Sequence, residues 1–383
     1  MSTLLFPLES TWPKSATRPS RLYRPELDAL RFFAFLCVFI THGVKFGSAG
    51  LLQGHSVLLG IVLSVESMGR FGLSLFFLLS SFLITGLLVA EQETTGTVHL
   101  SSFYLRRILR IWPLYFSFLF ATYLLGHIWA PASFSDSGLL AYCLLSGNWY
   151  MVAGKIVPLS LAILWSISVE EQFYLVWPSI VRQMTKARMR RFCMGLIAVS
   201  LISTYLLAKS GETSLEVWCN TVSEMGLFAL GALMALGTGL KEHPKSGIRA
   251  SCGVLCGLFC WATAHYIGFL PSSPPPLVWP AVYALAAAGC ASFLWAFLHM
   301  PRLLIRPELV YLGRISYGLY IFHALYLELG EHLLRDSGPH LRYLWLPIVL
   351  GVTIATAALS YEFLEKPFLR LKHRFEFVHS RTA

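Results

Sequence analysis

The chain has 383 residues, of which 56% are hydrophobic and only 13% charged, about half the charged fraction of an ordinary soluble domain. Apolar runs near the bilayer-spanning length of roughly 20 residues recur from Leu27 almost to the C-terminus, which excludes a soluble enzyme and fits a single membrane domain. The net charge of +10 does not point to nucleic acid, because the basic residues gather in short loops between apolar runs, where membrane topology puts them.

In chain order, residues 1–22 carry Pro7, Pro13, Pro19 and several Ser and Thr without a leading apolar segment, and are expected to be a disordered cytoplasmic tail. Apolar periodicity then predicts ten membrane helices near 27–45, 71–90, 111–130, 165–181, 192–208, 222–240, 250–269, 277–298, 309–329 and 343–363. Segments 51–64 and 139–151 are apolar but short, and are expected to be re-entrant or interfacial. With ten spans and both termini cytoplasmic, 22 of the 30 Lys and Arg residues fall inside and six outside. An eleventh crossing at 139–151 would put the Arg182–Arg191 cluster outside, against the positive-inside rule. The expected architecture is therefore an all-α polytopic membrane helical bundle, with its membrane domain over 23–370 and a basic cytoplasmic tail at 371–383. Cys252, Cys256 and Cys260 share a helix face but lack metal-site spacing and His partners, so they read as small packing residues and no metal is expected. No internal repeat is visible.

Ionisable residues at bilayer depth cost at least about 2.5–3.5 kcal/mol, so each is a functional candidate. Arg31 and His42 lie eleven residues apart, which on an α-helix is three turns, about 20° of net rotation and roughly 16 Å of rise. Both face one side, Arg at the cytoplasmic end and His in the outer half. Arg107 and Arg110 share a face at i, i+3 at the cytoplasmic entry of the third span. They suit either a topological anchor or bidentate phosphate recognition, for which Arg is the better choice than Lys. In the fourth span Ser166 and Glu170 stack at i, i+4, with Phe173 and Tyr174 a turn beyond. Glu170 and Glu171 are adjacent and cannot both face lipid, so one should face a cavity. In the ninth span Tyr320 and His323 share a face with Tyr317 a turn earlier, either lining the same cavity or forming a structural seam.

At these residues the chain resembles the acyltransferase-3 family. The opening pattern is Tyr23-Arg-Pro-Glu-Leu-Asp28-Ala-Leu-Arg31, then ten residues, then His42. The second-span pattern runs from Gly72 to Thr85, with Ser81 where the family usually has Gly. An RxxR feature stands at Arg107–Arg110, a Trp-Ser-Leu-Ser-x-Glu motif at Trp165–Glu170 with Ile167 in place of Leu, and a closing Glu-x-Pro-Phe at Glu365–Phe368. The resemblance covers roughly 23–370 and fits the stand-alone form, without a C-terminal SGNH esterase-like domain.

The resemblance implies an O-acyltransferase of the plasma (inner) membrane that moves an acyl group, acetyl by default, from cytoplasmic acyl-CoA to a hydroxyl of a sugar, glycan or lipid-linked saccharide. It also implies His42 as the catalytic base, with a covalent acyl-imidazole as a variant. On the chemistry of a thioester, the CoA phosphates would take Arg31, Arg107 and Arg110. Glu170 would set the His42 tautomer or bind the acceptor. Ser166, Tyr174, Tyr317 and His323 are expected to bind substrate. Trp149 and Tyr150 would stack on sugar or anchor the interface. A secondary transporter or flippase for a polar or anionic substrate is the alternative, disfavoured by the lack of related halves with paired broken helices.

Overall fold

The computed structural model describes residues 23–51, 56–129, 135–240, 242–269, 274–334 and 339–376. The expected tail at 1–22 and the end of the basic tail, 377–383, lie outside the described residues. The described residues are predominantly helical, and none of them forms a strand. The first half holds α1 (Pro25–Leu51), α2 (Ser56–Gly69), α3 (Phe71–Thr95), α4 (Leu100–Trp129), α5 (Asp136–Cys143), α6 (Gly147–Val152), α7 (Leu159–Ala162) and α8 (Trp165–Gln183). The second half holds α9 (Lys186–Lys209), α10 (Ser214–Cys219), α11 (Thr221–Thr238), α12 (Gly247–Gly268), α13 (Val278–His299), α14 (Pro307–Arg314), α15 (Ser316–Leu333), α16 (Pro339–Ser360) and α17 (Lys366–Lys372).

Among the described residues eight helical stretches are long and apolar enough to cross a bilayer, so the chain is an integral, multi-pass membrane protein. Expected spans 27–45 and 309–329 are not among the eight. The first begins with Glu26, Asp28 and Arg31, and this polar turn lowers its apolarity. The second is not one helix: α14 stops at Arg314, Ile315 leaves helical geometry (φ −90°, ψ 9°), and α15 restarts at Ser316. The break lies next to a close packing contact. A Cβ at Gly313 would stand 1.7 Å from the Asp28 carbonyl oxygen, so the backbone of α14 lies directly against the first turn of α1. The short segments expected to be interfacial, 51–64 and 139–151, fall on α2 and on the pair α5 and α6.

Helix α1 is packed against α2, α3, α14 and α15. Its approach to α3 depends on Gly72, where a Cβ would come within 2.5 Å of the Ala34 carbonyl oxygen. Small residues permit such backbone contact, which matters in lipid, where apolar burial alone does not drive helices together. Helix α3 in turn holds α8 and α11 through a stack of rings, Phe173–Phe228 at 4.4 Å and Phe77–Phe228 at 5.0 Å between centroids. Within this packing the Trp177 indole N–H finds the partner that lipid cannot supply, donating to Thr85 at 2.8 Å. At the end of the bundle expected to lie outside, Gln172 donates to Asn148 Oδ1 (2.9 Å) and accepts from Thr221 (2.6 Å). Asn148 donates to the Cys219 carbonyl (3.1 Å), so α6 and α10 are tied to α8.

At the opposite end a π-helical turn, Tyr361–Glu365, separates α16 from α17. It is one residue wider than an α-turn, and α17 beyond it packs back onto α4. Arg106 fastens this end, donating to the Phe375 carbonyl (2.6 Å) and pairing with Glu91 (2.9 Å).

Candidate active site

Two cavities meet inside the bundle. The inner one is a narrow channel of about 80 Å³. The outer one is a chamber of about 820 Å³. Leu73 of α3 and Tyr320 of α15 line both and form the wall between them.

The inner channel collects most of the expected polar residues. Arg31 of α1, Arg107 and Arg110 of α4, Ser166, Glu170 and Tyr174 of α8, and Tyr317 of α15 all line it. Tyr174 lies beside the Arg107 guanidinium, whose carbon is 5.4 Å from the ring centroid, and its hydroxyl pairs with Ser80 of α3. The Glu170 carboxylate lines the channel together with Ser80, Tyr174, Arg31 and Arg107. Adjacent helical positions point about 100° apart, and here the two carboxylates separate: Glu171 accepts instead from the Trp112 indole at 3.3 Å. The carboxylate facing the channel is therefore Glu170. The Tyr317 hydroxyl donates to the Ile111 carbonyl (2.8 Å). Tyr320 bonds Ser166 (2.8 Å) and donates to the Ile163 carbonyl (2.9 Å), which ties α15 to α8 beside the dividing wall.

Toward the end expected to be cytoplasmic, the channel passes into a pocket lined by Arg24, Arg31, Arg107, Arg110 and Lys372. Lys372 also lines the adjoining pocket with Arg106 and Arg107. It is buried and paired with Glu376 at 3.0 Å. Arg24 donates to the Leu240 carbonyl (2.9 Å) and pairs with Glu26 (3.1 Å). Five cations against the single carboxylate of Asp28 leave this small volume strongly positive, an electrostatic trap for a polyanion.

The outer chamber has a different character. It is lined by His42, Arg70, Lys155 and Glu331, with Trp165, Trp218 and Phe269 as its aromatic surfaces. Arg70 stacks on Phe269, its guanidinium carbon 4.1 Å from the ring centroid. Trp149 and Tyr150 do not line it: Trp149 is exposed, and the Tyr150 hydroxyl bonds Ser135 at 2.9 Å. His42 lies in the chamber wall with its Nδ1 2.9 Å from Nε2 of His323, the two rings stacked at 5.2 Å. Arg31 and His42, which share a stripe on α1, thus serve different cavities. Glu170 lines the inner channel and not the chamber that holds His42. Among the described residues no group of three or more His, Cys, Asp or Glu is arranged to hold a metal ion.

This layout, cations at one end of a membrane-buried path and an imidazole further along it, coincides with a family match. The acyltransferase-3 family model, described as an acyltransferase domain, matches residues 24–364. The chain belongs to the acyltransferase-3 family. Among curated relatives, it is similar to the peptidoglycan O-acetyltransferase OatA of Listeria monocytogenes, with 24% identity over 92% of this chain and 57% of OatA. A Staphylococcus aureus protein provisionally named an O-acetyltransferase is 26% identical over 90% of this chain and 57% of its own. The chain thus spans a little over half the length of these relatives. No solved structure matches.

Around these cavities the sequence pattern did not single out Lys372, Arg24, Ser80 or Arg70. Lys372 lies in the segment expected to be a basic tail, where charge reads as topology, and the inward course of α17 is set by a π-turn that 3.6-residue periodicity does not reveal. Ser80 sits within a matched motif, but as a small residue suited to packing.

Proposed function

We propose that the protein transfers an acyl group, acetyl in the first instance, from cytoplasmic acyl-CoA to a saccharide hydroxyl on the outer side of the membrane. One observation carries the reading. An arginine-lined channel, which shares Arg31, Arg107 and Arg110 with the cation-lined pocket, meets a roomy aromatic chamber at a wall of Leu73 and Tyr320, with His42 in the chamber beyond it.

In this reading the CoA phosphates take Arg31, Arg107 and Arg110, with Arg24 and Lys372 at the mouth. Guanidinium forks bind phosphate oxygens bidentately, and their attraction is strong where water is scarce. The pantetheine arm follows the narrow channel, whose small cross-section suits an extended chain and excludes a sugar. The thioester then arrives at the Tyr320 wall. A saccharide enters the outer chamber and rests on Trp165, Trp218 and Phe269. The acceptor oxygen attacks the thioester carbon, the C–S bond breaks, and the hydroxyl proton passes to His42. His42 then returns the proton to the departing thiolate. Glu170, among the arginines beside the Ser80–Tyr174 pair, supplies the counter-charge that keeps the guanidinium groups oriented toward the channel. A saccharide acceptor and an acetyl group agree with the relatives named for peptidoglycan O-acetylation, and a plasma-membrane location follows from such an acceptor.

The test is a thermal shift of the purified protein in detergent on adding acetyl-CoA, for wild type and for Arg107→Ala/Arg110→Ala. A saturable shift in wild type that is lost in the double variant is expected. A well-folded protein that responds to no acyl-CoA overturns the reading.

A further inference from the structure

We infer that His323 is a positioning residue for His42, an uncharged imidazole that fixes its partner's tautomer in the role a carboxylate fills in hydrolase triads. The inference rests on the reading of His42 as the base.

His323 is fully buried in α15. Its Nδ1 lies 2.6 Å from the carbonyl oxygen of Tyr320, one turn back on the same helix. A carbonyl oxygen only accepts, so Nδ1 of His323 carries a hydrogen and donates it. A neutral imidazole has one N–H, which leaves Nε2 of His323 as an acceptor. That nitrogen faces Nδ1 of His42 at 2.9 Å. Two bare nitrogens at this distance would repel, so Nδ1 of His42 carries the hydrogen between them. The second nitrogen of His42, Nε2, is then the one without a hydrogen. The alternative, a doubly protonated His323, would place a cation in a fully buried site at a desolvation cost of several kcal/mol. The chain of donors thus runs one way, from His42 through His323 to the Tyr320 carbonyl.

This polarity has a chemical consequence. A base accepts a proton only through a nitrogen that lacks one, and which nitrogen that is depends on the bond made by the other. By holding hydrogen on Nδ1, His323 dedicates Nε2 of His42 to the acceptor hydroxyl. When Nε2 takes the proton, the positive ring keeps its bond to His323, and the charge is stabilised by a polarised neutral chain ending in the carbonyl dipole of α15. A carboxylate would do this more strongly, but a bare carboxylate beside the base is costly at bilayer depth. Nothing in the sequence links the two rings, which are 281 residues apart. The Tyr320 that supplies the carbonyl also supplies the hydroxyl tied to Ser166 and Ile163, so the pair is referenced to the wall between the cavities.

The experiment combines ¹⁵N-histidine NMR of the detergent-solubilised full chain with turnover of acetyl-CoA, followed as thiol release with an N-acetylglucosamine oligomer as acceptor. Wild-type His42 is expected to show a protonated Nδ1 and an unprotonated Nε2. In His323→Leu this signature should give way to a mixture of tautomers. Its kcat should fall by about 100-fold, the lower end of what a base contributes, with the KM for acetyl-CoA unchanged. His323→Gln, which keeps an acceptor at the end of a side chain of similar reach, should recover at least tenfold of that loss. A wild-type His42 protonated at Nε2 overturns the inference, as does a His323→Leu protein with unchanged kcat or with an unchanged His42 tautomer. Should His323→Leu not fold, the wild-type tautomer decides alone. A wild type with the expected tautomer but no response to any acyl-CoA would leave the relay standing and overturn the acyltransfer reading instead.

Discussion

The inner channel and the outer chamber share helices α1, α3, α8 and α15 but are built by opposite rules. The channel is about a tenth the volume of the chamber. Its charge is concentrated in arginines from α1 and α4, locked by Glu170, Ser80 and Tyr174. The chamber is wide, aromatic and mixed in charge, and its residues come largely from the short outer helices and loops rather than from membrane spans. The contrast matches the two partners of an acyl transfer. A donor of fixed chemical structure is served by a tight, preorganised path, and a bulky saccharide by an open surface with stacking faces. It also explains why the structural constraints differ. The channel depends on close helix packing, as at Gly72, whereas the chamber depends on the side-chain hydrogen bonds that pin α6 and α10 to α8.

Perturbations at the two ends should therefore separate. His42→Ala breaks the step where both cavities contribute, and should lower transfer by about 10³-fold, within the range of general-base loss, while the acetyl-CoA thermal shift persists. Loss of the shift together with activity would move His42 to the donor side. Arg107→Ala/Arg110→Ala strikes the channel only. Two charge-assisted bonds at about 1.5–3 kcal/mol each predict a rise in acetyl-CoA Kd of at least about 100-fold, measured by titrating the thermal shift, with the saccharide KM unaltered. Gly72→Leu tests the packing contrast. The Ala34 carbonyl cannot give way as a side chain would, so a cost of about 1–3 kcal/mol is expected, seen as a lower melting temperature with or without ligand. The smallest effect belongs to the chamber: Trp218→Ala should raise the saccharide KM by about three- to tenfold, the scale of one aromatic contact, with no change in acetyl-CoA binding.

How far the sequence revealed this arrangement depended on whether a feature was local. The Arg31–His42 stripe and the Ser166–Glu170–Tyr174 face follow from helical period alone, and the structure puts each on a cavity wall. Choosing between Glu170 and Glu171 needed the neighbours, because both positions lie near one side of α8, and only Trp112 and the arginines distinguish them. His323 was legible as a polar residue at bilayer depth but not as the partner of His42, since that contact spans most of the chain. The break between α14 and α15 was hidden for a related reason. Gly313, Arg314 and Ser316 interrupt the apolar run there, but the approach of Gly313 to the Asp28 backbone is a contact distant in sequence. Lys372 was hidden because a basic residue after the last span satisfies membrane topology equally well in solvent or folded inward.

The central claim is that donor and acceptor arrive from opposite faces, and the sidedness of turnover tests it most directly. Inverted and right-side-out vesicles would be given membrane-impermeant acetyl-CoA in the medium, with the saccharide acceptor enclosed. Transfer in inverted vesicles and none in right-side-out vesicles is the predicted result. Equal turnover in both, or turnover only when acetyl-CoA meets the outer face, would contradict the account.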